Sequence, residues 1–501
     1  MCSLIVGLLL SMLVSAAAAE DVVIVLEGEV PDGEETHFFL PFEVPDGTAE
    51  IEVRHDDLSG ENILDWGLDD PNGFRGWGGG NTEPAIVGVD AASRSYVPGP
   101  LPAGIWEVVV GKAQIVETPA LYAVEIVLRT EPTLPAQSER APYVAPAPLE
   151  TGARWYAGDF HVHSRESGDA RPAIAEVLEF SAGRGLDFVL LSEHNTNSQL
   201  SLYGEAQADS DVLLLPGVEF TTYAGHANGI GVTEWVDHRI GVRGATIEAA
   251  IHDIHEKGGL ISINHPLLFV GDLCIGCGWD HAVDPLTIDA VEIRTGIFPG
   301  ESYWEDLVAA GSRAAAIAGS DDHRAGRDLG PLDSPIGTPV TLVWADELSV
   351  EGIVRGVRDA RTVVKVNGPD GPMIESELSG RRDGDTVLSP GSTATLRAVV
   401  TGGAGGLLRA LANGVVIDEV AVDGDPFVRE IEVEVAAVGE DRYRHEVVDA
   451  DGSLRTLTSY VWLRAEDVAA EDDGCAVSPV HRAVWWPWLG ALALAMLRRS
   501  R

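Results

Sequence analysis

The sequence predicts an α/β chain: a β/α barrel flanked by two β-sandwich domains. Three observations carry this. From residue 151 short apolar runs alternate with helical patterns, as parallel strands with outer helices do. On both sides of that region the chain is rich in β-branched residues and turn signals. Finally, clusters of histidine and carboxylate recur in order, nearly all at the ends of the middle region's apolar runs. Active sites of β/α barrels are built at strand ends.

Residues 20–130 form the first β-rich part. Runs at 22–26, 49–53 and 122–128 have strand length and β-branched content. Pro-Asp-Gly at 31–33 and 45–47 and Pro-Asn-Gly at 71–73 read as turns. This part holds no catalytic constellation. Trp66, Trp77 and the Gly78–Gly80 run suit either packed aromatics, the favoured reading, or a ligand site. Residues 131–150 carry five prolines and are expected to be an extended, semi-rigid linker.

In residues 151–368, runs at 189–191, 212–215, 260–263, 290–293 and 314–318 read as buried strands. Pro172 opens a helix with Ile174, Val177 and Leu178 on one face. Residues 247–256 form a second helix, stopped by Gly258 and Gly259, and 349–359 a late one with Ile353, Val354 and Val357 inward. Residues 369–466 return to β character at 393–400, 415–417 and 430–435 and are assigned to the second β-sandwich. Residues 467–501 are an acidic stalk and a tail.

Both ends read as address labels. Residues 2–19 are small and apolar and end in an Ala-x-Ala pattern, so 1–19 are expected to be a signal peptide, with Glu20 the mature start. The apolar run 483–497 has 15 residues, short of the ~20 of a stable membrane span, and Pro487 interrupts it. Cys475 precedes it and Arg498, Arg499 and Arg501 end it. The tail resembles myxobacterial-type C-terminal sorting signals; a plain anchor helix is the other reading. Either way the expectation is an exported protein, at the cell surface, outer-membrane-associated or secreted. Its partners would be the export and sorting machinery, with membrane contact through the tail. Cys274 and Cys277 form Cys-x-x-Cys, for which a local disulfide is the favoured expectation outside the cytoplasm, with a free pair or an extra metal contact as the alternatives.

The formal net charge is −45, from 34 basic and 79 acidic side chains. Such a surface repels nucleic-acid polymers, whose phosphates need lysine and arginine. A small-molecule substrate is expected instead.

Six of the chain's 14 histidines fall in five ordered motifs: His161-Val-His163, Ser192-Glu193-His194, Glu219 with His226, Asn264-His265-Pro266, and Asp321-Asp322-His323. Residues two apart in a strand share a face, so His161 and His163 can grip one ion, and Asp321 and His323 can do likewise or serve two adjacent ions. Imidazoles suit Zn, Mn or Fe, and a carboxylate such as Glu219 can bridge two ions. Arg165 and Arg294 could each clamp a phosphate. His252 and His255 lie on a helix and are read as outer residues.

These motifs resemble those of the PHP (polymerase and histidinol phosphatase) family, particularly its carbaryl-hydrolase-like exported branch. The resemblance spans about residues 155–365 and implies a distorted seven-stranded β/α barrel. It implies a first metal on His161, His163, Glu219 and Asp321. Glu219 would bridge to a second held by His226 and His265, and a third would use Asp169, His194 and His323. Two departures stand out. Ser192-Glu193-His194 replaces the family's Thr-Asp-His. Arg165-Glu-Ser-Gly-Asp169 replaces a Ser-Asp-Gly ending, so the acidic ligand is Asp169 or Glu166, with Asp169 preferred.

The expected activity is that of a phosphoesterase acting on small phosphate esters. Two or three divalent ions would lower the pKa of a bridging water and stabilise developing negative charge. A carbamate, ester or amide hydrolase using the same ions is the alternative, and a non-catalytic surface binding protein a third.

Overall fold

The computed structural model describes residues 21–271 and 274–466. The expected signal segment and C-terminal tail, with Cys2 and Cys475, lie outside these residues. The described chain is mixed α/β, with several sheets and short helices.

The first β-rich part folds as two four-stranded antiparallel sheets. One has the order Val22–Glu29, Leu121–Arg129, Glu50–Asp56, Ala85–Gly88. The other has the order His37–Val44, Gly104–Gln114, Ile63–Asp70, Gly73–Gly79. Alternate residues point inward, so Ile51, Val53 and Ile126 of the first sheet meet Phe42, Trp66, Trp106 and Val108 of the second in one core. Burying each of these side chains stabilises by roughly 2–3 kcal/mol. Residues 131–149 contain no helix or strand. This segment is tied down by Gln137 N–H to Asp90 O, 2.9 Å, and Ala141 N–H to Ser201 O, 2.7 Å.

Two sheets carry the middle region. In one, Glu150–Val162 pairs in parallel with Phe188–Leu191, which pairs in parallel with Leu213–Leu215. In the other, Leu260–Ile263, Ala290–Thr295 and Ala315–Gly319 run parallel. Gly225–Ile230 runs antiparallel to both Gly217–Thr222 and Leu260–Ile263. Val340–Leu348 lies antiparallel to Glu150–Val162. The all-parallel expectation therefore fails at these two strands. The sheets meet at two isolated bridges, His194 with Glu219 and Val162 with Asp322. Ladder hydrogen bonding thus stops short of a closed barrel.

The C-terminal strands continue the first sheet. Thr362–Lys365 pairs with Val340–Leu348 on one side and Leu454–Thr458 on the other, and Asp441–Val448 follows. A separate four-stranded sheet contains Met373–Leu378, Thr393–Thr401 and Phe427–Glu434.

Among the described residues there are five α-helices, none longer than 10 residues. Ile247–Glu256 buries Ile247, Ala250, Ile251 and Ile254, one stripe at helical spacing. The Thr246 hydroxyl accepts from Ala249 N–H at its start, a cap worth about 1 kcal/mol. Val350–Arg358 is capped likewise by Ser349 and buries Ile353, Val354 and Val357. The helix expected at Pro172 begins two residues later, at Ile174–Gly183. Tyr203–Gln207 and Glu301–Ala309 were not foreseen. No helix among the described residues is long and apolar enough to cross a membrane.

Candidate metal centre

The ligand-type clusters converge on one rim of the two middle sheets. His161 is the last residue but one of Glu150–Val162, and His163 follows the strand. His194 lies beyond Phe188–Leu191, His265 beyond Leu260–Ile263 and Asp321 beyond Ala315–Gly319. His226 is the exception in sequence terms: it is the second residue of Gly225–Ile230, near that strand's start. Because that strand runs antiparallel to its neighbours, its start lies where theirs end.

Glu219 is the hub. Its carboxylate lies 3.3 Å from His161 Nε2, 3.5 Å from His163 Nε2, 2.8 Å from His194 Nδ1, 3.3 Å from His226 Nδ1 and 3.3 Å from His265 Nε2. Asp321 Oδ1 lies 3.3 Å from His161 Nε2 and 3.2 Å from His163 Nε2. Asp169 Oδ2 lies 3.3 Å from His194 Nε2 and 3.2 Å from His323 Nε2. Three compact donor sets of histidine and carboxylate result: His161, His163 and Asp321; His161, Glu219 and His265; His163, His194 and His323; a fourth group joins His226 to Cys274 and Cys277.

The outward ring nitrogens are fixed by other groups. His161 Nδ1 lies 2.9 Å from Glu292 Oε1, His163 Nδ1 2.9 Å from Ser167 Oγ, and His265 Nδ1 3.1 Å from the Cys277 carbonyl. His323 Nδ1 lies 2.9 Å from the Asp321 carbonyl. In each case Nε2 is left facing inward, the arrangement that prepares imidazole as a metal ligand. His161 Nε2 and His163 Nε2 face each other at 3.1 Å. Neither ring nitrogen of buried His226 makes a hydrogen bond. Burial pushes the Glu219 carboxyl up, but His161 and His194 hold it well below the usual range. Burial likewise opposes ionisation of Asp321, and His161 and His163 overcome it. Among the described residues no lysine or arginine pairs with Glu219, Asp321 or Asp169. Facing imidazoles and carboxylates with no lysine or arginine paired to them fit divalent cations, and the N/O donors suit Zn, Mn or Fe.

The backbone is held to this geometry. His265 and Asp321 have φ of 27° and 59°, a left-handed region costing about 1–2 kcal/mol for such residues. Buried Asp159 accepts from the N–H groups of His161, Ser320 and Gly337 and so ties two strand ends together. Asn264 Nδ2 donates to Glu219 Oε1, 3.1 Å. Sequence reasoning missed Asp159, Asn264 and Glu292 as supports. Asn264 stands beside a ligand, and that adjacency was its only signal.

Glu166 faces away from the cluster. It accepts from Arg140 Nη2 at 3.2 Å, Ser198 Oγ at 2.8 Å and Ser95 N–H at 3.4 Å. Asp169 is the acid beside His194 and His323. Glu193 turns from the rim toward Ser164, whose hydroxyl donates to it. The longer side chain therefore leaves His194 at the rim. Cys274 and Cys277 are joined as a disulfide, Cα–Cα 5.6 Å, beside His226.

The two arginines named from the sequence stand elsewhere. Arg165 is exposed, and Arg294 pairs with Glu301 and donates to the Ile297 carbonyl. Neither lines the cavities at the cluster. Arg324 and Arg171 do, in a recess shared with Asp169, Asp321 and His323. His252 and His255 sit on the outer helix, paired with Glu256 and Asp289.

No protein-family model matches the chain, and no curated protein matches it. Among solved structures it is similar to a two-domain protein containing a predicted PHP-like metal-dependent phosphoesterase from Bacteroides vulgatus. The identity is 17%, covering 65% of this chain and 100% of that one, with a TM-score of 0.36. A protein described as a metal-dependent phosphoesterase from Bifidobacterium adolescentis is similar at 13% identity, covering 38% of this chain and 94% of that one, TM-score 0.26. An amidohydrolase from Chromobacterium violaceum is similar at 17% identity, covering 35% of this chain and 93% of that one, TM-score 0.23. At these identities and TM-scores the likeness decides nothing about this chain's chemistry, which rests on its own rim of ligands.

Proposed function

We propose that this chain is an exported, metal-dependent hydrolase of the PHP type that cleaves small phosphate esters. The observation that carries the reading is Glu219 within 3.5 Å of five imidazoles, beside two further carboxylates. His161, His163, Glu219 and Asp321 would hold one ion, Glu219, His226 and His265 a second, and Asp169, His194 and His323 a third. Such ions supply Lewis acidity and an activated water for hydrolysis. The chain's own part is to orient. Glu292 and the Cys277 carbonyl fix the ring planes of His161 and His265. Arg324 and Arg171 face the recess beside Asp169 and His323, where a phosphate oxygen would find a cationic partner.

The architecture proposed with this function is a distorted seven-stranded barrel, residues 151–368, between two β-sandwich domains at 20–130 and 369–466. The two bridges that link the middle sheets support it. A signal peptide at 1–19 and a sorting or anchor tail after 467 would take the protein to the cell surface or beyond.

A carbamate, ester or amide substrate is the second reading. One cavity beside His194 and His226 has no lysine or arginine in its wall, which favours uncharged groups there.

The test is metal content and turnover on one sample of residues 20–474, purified without chelator. Two or three equivalents of metal, with phosphoester turnover lost in His161→Ala, support the reading. Metal with turnover only of carboxyl esters or carbamates moves it to the second. A folded protein that stays empty when Zn or Mn is supplied overturns the ligand assignment.

A further inference from the structure

The N-terminal β-rich part reaches the metal centre. A cavity of 380 Å³ is walled on one side by Trp77, the Gly78–Gly80 run, His37 and Asp65, and on the other by Tyr223 and His238. His194, His226 and Asp169 form its floor and also line the 500 Å³ cavity that opens over the rest of the cluster. The two spaces therefore share the candidate ligands.

This wall is built, not incidental. Tyr223 Oη donates to Asp65 Oδ2 at 2.8 Å across the junction. Gly111 lacks a side chain where that hydroxyl arrives; a Cβ there would overlap it. Around the junction Arg94 Nη1 donates to the Ala170 carbonyl, 3.2 Å, and Thr196 Oγ1 to the Ser95 carbonyl, 2.9 Å. Arg239 Nη1 donates to Asp69 Oδ2, 2.6 Å.

The wall is aromatic and polar, with the Asp65 carboxylate in it and no lysine or arginine. The Trp77 ring meets His238 edge-on at 4.5 Å, and His37 stacks on Tyr223 at 5.5 Å. His37 and His238 are 3% and 2% exposed, yet His37 Nε2 and both ring nitrogens of His238 have no hydrogen-bond partner. Burial, then the nearby Arg239, keeps His37 neutral, pushed down to about 3. Asp65 retains acceptor capacity beyond its one bond from Tyr223.

We propose that this cavity is the substrate-specificity subsite. It takes an aromatic ring bearing a hydrogen-bond donor, such as a phenol, with Asp65 as acceptor, while the ester group lies over the donor cluster. Trp77 supplies the apolar face. The N-terminal part is then a piece of the substrate site, although it carries none of the candidate ligands. This rests on the phosphoester reading, so the experiment separates the two.

The probes are p-hydroxyphenethyl phosphate and ethyl phosphate, both primary alkyl esters with similar leaving groups. The metal-loaded protein should prefer the aromatic ester in kcat/KM by about 30-fold, the worth of burying a ring. In Trp77→Ala the ratio should fall toward one. In Asp65→Asn, which keeps the shape, it should fall about tenfold. A ratio is insensitive to the fraction of protein folded, so a poorly folding variant does not mask the result. Calorimetric binding of free p-hydroxyphenethyl alcohol to wild type and Asp65→Asn reads the subsite without turnover. Alcohol binding weakened in the variant, with neither ester hydrolysed, supports the subsite and sinks the phosphoesterase reading. Equal turnover of both esters with no alcohol binding overturns the subsite and leaves that reading standing. A preference undiminished in both variants also overturns the subsite, as does neither turnover nor binding.

Discussion

His161 Nδ1 lies 2.9 Å from Glu292 Oε1, and both side chains are fully buried. Glu292 Oε2 also accepts from His265 N–H at 3.2 Å and from the Thr295 hydroxyl. One carboxylate thus positions two candidate ligands that come from the two different middle sheets. Glu292→Gln keeps the shape but weakens the acceptor that sets the His161 tautomer. Metal affinity should drop about 10–100-fold, with the fold retained. Competition with a chelator of known affinity measures this, and an unchanged affinity would remove Glu292 from the positioning role.

Asp169 and Glu166, three residues apart, should behave oppositely. Asp169→Asn should cost one equivalent of metal at little cost in stability, because its side chain is half exposed at the cavity. Glu166→Ala should leave the metal count intact. It strands the buried Arg140 guanidinium, and losing one partner of a buried pair costs about 3–5 kcal/mol. Elemental analysis and denaturant melts on the two variants decide it. A lost equivalent in Glu166→Ala would mean that the acid was assigned to the wrong residue.

The convergence of the six histidines on one rim was legible because a candidate ligand set restricts residue type and strand ends restrict spacing. Glu292 and Asp159 were not, because a buried acid within a strand carries no local mark of what it will face. Arg294 misled for a specific reason. Glu292 and Arg294 are two apart and should share a face, but the register shifts between them against Ala315–Gly319. One extra residue re-aims the side chain, and Arg294 leaves the site for Glu301. The role of Trp77 was hidden differently. Nothing local in the sequence says which face of a β-sheet will dock against the mouth of another domain.

That re-aiming makes a prediction for the arginines. Arg324→Ala should lower kcat/KM on phosphate esters by about 10–100-fold, the worth of a charged hydrogen bond. Carboxyl esters should be affected less. Arg165→Ala, at an exposed position, should change neither by more than about twofold. A large, phosphate-selective loss in Arg165→Ala, with Arg324→Ala silent, would restore the assignment made from sequence.

A last prediction concerns pH and a histidine outside the candidate metal centre. His445 is 1% exposed, its Nδ1 2.9 Å from Ser376 Oγ and its N–H donating to the Thr458 hydroxyl. Burial, and then the charge of Arg444, push its pKa down to about 4, against a partial opposing pull from Asp418. The unfolded chain takes up this proton near pH 6.5, and the folded chain only near pH 4. Between those values the unfolded state binds more protons, so stability falls as pH drops from 6.5 and levels off below 4. At pH 4.5 the loss from this one group is about 2–3 kcal/mol. His445→Gln removes it. The fall in unfolding free energy between pH 7 and pH 4.5 should shrink by that amount, measured on both proteins stripped of metal. Every other titrating group is common to the two proteins and cancels in the comparison. Equal falls in both would show that His445 protonates in place without penalty.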